Sequence, residues 1–511
     1  MDLVANIGLG LGTALSATNL LYCTLGVVIG MVVGVIPGVG TMASMAMLFP
    51  LSFYMAPETA LIMLAGIWYG TGYGGRTASI LLNIPGTPAN AVTCLDGYPM
   101  ARQGRAGVAL LLTTLASFVG GTFGIVLLMG FSPLIARWAL AFGPAEYFAL
   151  MALGLIAASA ISEGSALKGL AMVVIGIIFG TIGADVYTGT PLYTFGMLEL
   201  YEGIGLVPLA MGLFGVAEVI SSIGRIKAGD IDKKSASFKA MKPTRDDLRR
   251  SWLPMARGSS VGAFFGTLPG TGPSVASFLS YALEKRISKT PERFGKGAVE
   301  GIMAPESADN SAEMTSFIPT LALGVPGSAS MALMLGVLMI HGIQPGPSLI
   351  NDQPQVFWGL VMSFWIGNII LVFLNIPLIG VWVRMLMVPY HLLYPAILAF
   401  VAIGTYTVSN STFDIAVVLF FGALGWLLRV LHLPAAPLLL GFVLGPLMEE
   451  HFRRAMLFSK GSFGTFYDSG ITKVVMTLSA ILLIWSLVSA FRTMRKAKAA
   501  PTMATPDQIG Q

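Results

Sequence analysis

The sequence predicts an all-α polytopic membrane protein of about ten to twelve spans, arranged as two inverted repeats whose re-entrant or broken helices carry Pro-Gly motifs. Three observations carry that prediction. The composition is too apolar for a water-facing globule, the basic residues sit in a few short stretches, and two motifs each occur twice in the same order.

Of the 511 residues, 55% are apolar and 11% charged, and the mean hydropathy is +0.78. A soluble chain carries roughly 25% charged residues, so there is too little polar surface here to wet a globule. That excludes a soluble enzyme, a nucleic-acid binder and a secreted disulfide scaffold. Cys23 and Cys94 lie far apart in no metal or redox pattern and read as small packing residues. His341, His391, His432 and His451 have no ligand spacing, so neither a metal nor another cofactor is expected. Asp2 is the only charge near the amino terminus, so the first hydrophobic segment is expected to stay in the mature protein.

Eighteen of the 30 Lys and Arg fall in three stretches: nine between Arg225 and Arg250, five between Lys285 and Lys296, and four between Arg492 and Lys498. Short loops rich in Lys and Arg stay cytoplasmic, which places all three on one side. Residues 1–75 hold no Lys or Arg, which favours an outside amino terminus. The polar stretch 224–250 is read as a cytoplasmic basic linker between a first transmembrane repeat, 1–223, and a second, 251–470. A final span, 471–491, and a cytoplasmic tail, 492–511, follow, with disorder expected from Ala499 onward.

Full-length span candidates are Ala109 to Met129, Leu167 to Ile182, Val356 to Val381, Phe413 to Leu431 and Val474 to Phe491. Other apolar runs are shorter and end at Gly or Pro clusters, as half-helices or re-entrant segments do.

The first repeated motif is Gly34-Val35-Ile36-Pro37-Gly38-Val39-Gly40-Thr41, matched by Gly266-Thr267-Leu268-Pro269-Gly270-Thr271-Gly272-Pro273. The second is Asn83-Ile84-Pro85-Gly86-Thr87-Pro88, matched by Gly324-Val325-Pro326-Gly327-Ser328-Ala329. The Pro-to-Pro separation is 48 residues in the first half (85 − 37) and 57 in the second (326 − 269), and the basic loop at Lys285 accounts for the excess. An internal duplication explains this best. Bases follow the second copy of the first motif but the first copy of the second motif, as Arg102 and Arg105, so matching loops fall on opposite sides and the repeats are inverted. One stretch resists: Arg453, Arg454 and Lys460 would fall outside, and either an extra half-span or a weak local bias would serve.

A Pro-Gly break inside a span frees backbone carbonyls and amides, which are costly in hydrocarbon unless they face a polar cavity or a ligand. Freed carbonyls with Ser, Thr and Asn oxygens suit a hard cation; half-helix amino termini suit an anion. The candidate binding residues are therefore Gly38, Gly40, Thr41, Asn83, Pro85, Gly86, Thr87, Gly270, Thr271, Gly272, Ser274, Pro326, Gly327 and Ser328. Structural kinks alone are the bland alternative. Gly75, Arg76 and Thr77 join the set, because an Arg at membrane depth is expensive and its fork matches a carboxylate; a snorkelling Arg, or one paired with a buried acid, is the alternative. In the second half, Asp309, Asn310 and Ser311 suit sodium ligation or a proton relay, and Asn310 also counts among the binding candidates. Glu306 and Glu313 fit a helix cap or a wet face equally well.

These motifs, with Tyr73-Gly74-Gly75, Leu95-Asp96-Gly97-Tyr98-Pro99-Met100-Ala101 and Gly342-Ile343-Gln344-Pro345-Gly346-Pro347, resemble the TctA family, the large membrane subunit of tripartite tricarboxylate transporters. The resemblance covers nearly the whole chain. It implies a multi-pass protein of the bacterial inner membrane, working with a small four-span membrane subunit and a periplasmic solute-binding protein. It further implies uptake of an organic carboxylate driven by a Na⁺ or H⁺ gradient, with no nucleic acid involved. No Walker motif argues for ATP hydrolysis, and no HExxH, His cluster or GxSxG argues for an enzyme. A stand-alone organic-anion transporter is the alternative. On this reading Gly86 and Gly327 are needed for uptake and not for folding.

Overall fold

The computed structural model of the chain describes residues 3–36, 40–139, 142–161, 165–185, 188–222, 237–268, 272–386 and 390–499. The expected disordered end, the middle of the linker, and Pro37 to Val39 and Pro269 to Thr271 of the first motif lie outside them. Before the linker come α1 (Leu3–Ala14), α2 (Ala17–Val35), α3 (Thr41–Leu48), α4 (Pro57–Leu82), α5 (Ala91–Met100), α6 (Ala106–Ala139), α7 (Pro144–Ile161), α8 (Ala166–Gly180), α9 (Leu206–Ala210) and α10 (Ala217–Ser222). After it come α11 (Arg245–Gly266), α12 (Gly272–Ile287), α13 (Glu300–Thr315), α14 (Phe317–Leu323), α15 (Ala329–Ile340), α16 (Leu349–Asp352) and α17 (Pro354–Asn375). The chain ends with α18 (Ile379–Met385), α19 (Tyr390–Ser409), α20 (Thr412–Val430), α21 (Ala435–Phe458), α22 (Thr465–Asp468) and α23 (Gly470–Ala499). The β-structure described is a two-residue antiparallel ladder with Gly183 opposite Leu192.

Five stretches among the described residues are long and apolar enough to cross a membrane: Ala17–Val35, Ala91–Ile135, Pro354–Asn375, Thr412–Val430 and Gly470–Val488. Seven shorter apolar helices accompany them. This is a polytopic, essentially all-helical membrane protein. Two span expectations need correction. The run Leu167 to Ile182 is α8, whose 15 residues reach about 22 Å at 1.5 Å each, short of a hydrocarbon core of about 30 Å; Gly183, at φ 133°, turns the chain into the ladder instead. The run Val356 to Val381 breaks after Asn375, and α2 is the further long apolar helix. Helix α11 starts at Arg245, inside the stretch read as linker, because Thr244 and Asp247 form a reciprocal capping box.

Corresponding elements on either side of the linker have matching backbone detail. Gly40 (φ 67°) leads into α3 and Gly272 (φ 63°) into α12, both in the left-handed region that a side chain disfavours. Helices α4 and α14 both end on a left-handed residue that opens the second motif, Asn83 (φ 59°) and Gly324 (φ 71°). Helix α2 packs along α4, and α11 along α13. Gly26, Gly30 and Gly34 face the backbone of Met63, Ile67 and Thr71, while Gly258, Gly262 and Gly266 face Ala304, Ala308 and Ala312. Small residues at this spacing let helix backbones approach closely, the main packing device where lipid supplies no hydrophobic drive.

The two ends of the molecule are set by polar ties. At one end Thr59 donates to Asn19 Oδ1 at 2.5 Å and the His341 ring meets the Ser52 carbonyl at 2.9 Å. At the other, Asp96 Oδ1 accepts the backbone N–H of Gly295 (2.9 Å), Gly297 (2.8 Å) and Ala298 (2.8 Å), and Oδ2 accepts Tyr281 O–H at 3.0 Å. Arg105 pairs with Asp247 at 2.7 Å beside it, so the basic loops sit together. In the resisting stretch, Arg453 pairs with Asp185 and Glu449 and Arg454 with Glu450, so those charges are neutralised locally.

Gly30→Ala or Gly262→Ala places a methyl against the Ile67 or Ala308 carbonyl, and is expected to lower the thermal unfolding midpoint of the detergent-purified protein, at a cost of about 1–3 kcal/mol. Gly8→Ala, with nothing within 4 Å, leaves it unchanged. Asp96→Ala strands buried amide donors and lowers the midpoint more than Asp96→Asn, which keeps one acceptor oxygen.

Candidate functional site

Every residue of α13 is buried, although four of its sixteen are acids: Glu300, Glu306, Asp309 and Glu313. What each acid meets decides its role. Glu306 Oε1 accepts the Thr93 hydroxyl, and Oε2 accepts Ser117 Oγ at 3.3 Å and lies 3.8 Å from Arg76 Nη1. Arg76 is completed by donating to the Thr113 carbonyl (3.0 Å), the Ser117 hydroxyl and Thr114 Oγ1 (3.2 Å), and its carbon centre lies 4.1 Å from the Tyr73 ring centroid. The guanidinium is 1% exposed. It is turned toward α6 and committed to fixing α4 against it.

Asp309 and Glu313, one helical turn apart, are placed differently. Neither oxygen of Asp309, nor Glu313 Oε2, has a hydrogen-bonding partner among the described residues, and both side chains line a cavity of about 350 Å³. That cavity is where the repeated motifs meet. Gly40 and Thr41, at the start of α3, line it beside Gly272, Pro273 and Ser274, at the start of α12. Thr87 and Pro88 line it from the second motif of the first half, and Ser328 from that of the second. Three helix amino termini therefore open onto it: α3, α12 and α15, the last with Ser328 Oγ capping the Met331 amide at 3.3 Å. Each brings partial positive charge and unsatisfied amides.

The remaining candidates sit behind the lining. Gly75 and Gly86 touch backbone to backbone, and a Cβ on Gly86 would overlap the Gly75 Cα. Gly86 is thus needed for packing, which overturns the expectation that it matters for uptake alone. Gly327 has room, with nothing nearer than 3.7 Å to an added Cβ. Ser311 donates to the Ser259 carbonyl at 2.8 Å and ties α13 to α11; Asn310 donates to the Glu306 carbonyl at 3.0 Å, leaving Oδ1 without a partner. Thr77 is buried, and Asn83, Pro85 and Pro326 shape the turns without lining the cavity. Gly38, Gly270 and Thr271 lie outside the described residues. Sequence reasoning missed Trp68, Phe214, Glu218, Arg429 and Ser330, which also line the cavity; none belongs to a repeated motif. A second cavity of about 470 Å³ lies between residues 180–185 and 446–454, lined by acids and arginines already paired with one another.

The sequence profile of the tripartite tricarboxylate transporter TctA family matches residues 20–440. The chain belongs to the TctA family. It is therefore a transporter membrane subunit, multi-pass and not an enzyme, and the family implies a tripartite system with partner proteins. An uncharacterized 52.8 kDa protein from the TAR-I ttuC' 3' region of Agrobacterium vitis is 47% identical over 97% of this chain and 98% of its own length. An uncharacterized protein from the TAR-II ttuC' 3' region of the same organism is 49% identical over 46% of this chain and 97% of its own. No solved structure matches the chain.

In this TctA chain, Arg76→Met leaves Glu306 buried without its cation and is expected to destabilise the protein by about 3–5 kcal/mol, whereas Arg76→Met with Glu306→Met recovers most of that loss. Thermal unfolding of the two purified variants in detergent measures it.

Proposed function

We propose that this chain is the translocating subunit of a binding-protein-dependent carboxylate uptake system of the bacterial inner membrane, driven by a cation gradient. One observation carries the reading: buried carboxylate oxygens of Asp309 and Glu313 that have no hydrogen-bonding partner among the described residues face the same cavity as three helix amino termini. The amino termini attract an organic anion, and the hydroxyls of Thr41, Thr87, Ser274 and Ser328 can donate to it. Asp309 and Glu313 repel the same anion unless a cation neutralises them. Na⁺ at the Asp309 carboxylate and Asn310 Oδ1, or a proton on Asp309, lifts that repulsion, so substrate and cation favour each other's binding. That mutual dependence is symport.

In this proposal the two halves are inverted copies with about ten to twelve spans counting the broken helices. The α2–α3 and α11–α12 hairpins enter from opposite sides, and their tips meet at the midplane, where irregular backbone lines a cavity and is spared contact with lipid. The small four-span membrane subunit and the periplasmic solute-binding protein complete the system, the latter delivering the carboxylate.

The test is uptake of labelled citrate, succinate and benzoate into vesicles holding the chain with its partners, under an imposed Na⁺ or H⁺ gradient. Accumulation that stops when the gradient is collapsed supports the reading; accumulation independent of either gradient overturns it. Uptake without the binding protein assigns a stand-alone organic-anion transporter instead. Asp309→Asn, which keeps size but cannot exchange a proton or a full charge, is expected to reduce accumulation to the collapsed-gradient level with normal folding. Gly327→Leu, filling space beside the tip, is expected to block uptake while the protein is still recovered as a folded species.

A further inference from the structure

We propose that Arg429 is the side chain that grips a carboxylate of the transported anion, and that Glu218 occupies its fork in the absence of substrate. The inference rests on the carboxylate-transport reading above. Among the described residues lining the cavity, Arg429 alone carries a positive charge, against three acids, Glu218, Asp309 and Glu313. The amino termini of α3, α12 and α15 offer partial charge, whereas a guanidinium offers a full one with donors arranged to hold a carboxylate through two parallel hydrogen bonds.

Arg76 and Arg257 are committed elsewhere. Arg76 is sealed against Glu306 with side-chain exposures of 1% and 2%, and Arg257 makes a two-pronged pair with Glu284 from α11 to α12. The Arg429–Glu218 pair differs. Its side chains are 41% and 19% exposed, and Arg429 meets Glu218 through Nη2 to Oε2, which leaves most of the five guanidinium donors for another acceptor. Nor do the end carbonyls of α20 hold Arg429, since Lys168 Nζ donates to those of Leu431 (3.3 Å) and His432 (3.1 Å).

An incoming carboxylate can therefore take Glu218's place on a fork that is already aimed, and Glu218 swings toward water. No bond is made or broken; one carboxylate replaces another. With a second carboxylate at the helix amino termini, the substrate class is an anion carrying at least two carboxylates.

The experiment compares wild type, Arg429→Gln, Glu218→Gln and the swapped pair Arg429→Glu with Glu218→Arg. Each is reconstituted in vesicles with the partner proteins and assayed for citrate and succinate KM, and for the shift in unfolding midpoint that citrate gives the purified chain. Arg429→Gln is expected to raise KM at least about tenfold, the worth of one charge-assisted hydrogen bond, while its midpoint without citrate stays near wild type. Glu218→Gln removes the competitor and lowers KM. The swapped pair keeps an ion pair but does not recover citrate binding. If the swap restores uptake, or Arg429→Gln leaves KM unchanged while wild type transports, the pair is only a staple between α10 and α20 and this inference is wrong. Wild-type vesicles that accumulate none of citrate, succinate or benzoate would instead overturn the transport reading beneath it, and this inference with it.

Discussion

Hydrocarbon offers nothing to a backbone amide, and this membrane protein interrupts its helical backbone between α2 and α3, α4 and α5, α11 and α12, and α14 and α15. Each break frees donors and acceptors that cost several kcal/mol apiece if left dry. The breaks are bearable because they are gathered: Gly40, Thr87, Gly272 and Ser328, one from each motif copy, line one cavity. The glycine ladders on α2 and α11 serve the same end, letting each hairpin lie close enough to α4 or α13 for its tip to reach the shared pocket.

That constraint also sorts the charges. Arg76 and Glu306 are closed on each other by hydroxyls from α5 and α6, which makes them part of the framework. Asp309 and Glu313, on the same helix, have no such shell among the described residues and face the pocket. A buried carboxylate without a partner is too costly to be a packing device, so the helix is asymmetric in purpose as well as in sequence. Its neighbour Ser311, which looks like a ligand in sequence, is spent on holding α11.

Much of the arrangement is legible in sequence because backbone breaks need Pro and Gly, and those residues announce themselves. Gly40, Thr41, Thr87, Gly272, Ser274 and Ser328 are legible that way, and Asp309 is legible as an acid in the polar stretch 306–313 of the second half. What sequence could not supply is direction. Whether Arg76 points at the pocket or at α6 depends on a rotamer and on Ser117 and Thr114, two turns along another helix. Arg429 and Glu218 lie more than 200 residues apart and belong to no repeated motif, so only packing shows them together. The length of α8 misled for a local reason, a single turn at Gly183 that hydropathy does not register.

The two halves are not separate bodies. Helix α6, from the first, packs along α13 and α11 of the second, and α17, at the corresponding place in the second, packs along α4 and α2 of the first. Asn368 of α17 even accepts from Tyr73 of α4 while donating to the Phe118 carbonyl of α6. The ribosome therefore delivers α6 some 160 residues before its principal neighbour exists. During that interval the early helices have only lipid, the insertion machinery or each other for company, so tertiary assembly of the amino-terminal half waits on synthesis of the carboxy-terminal one.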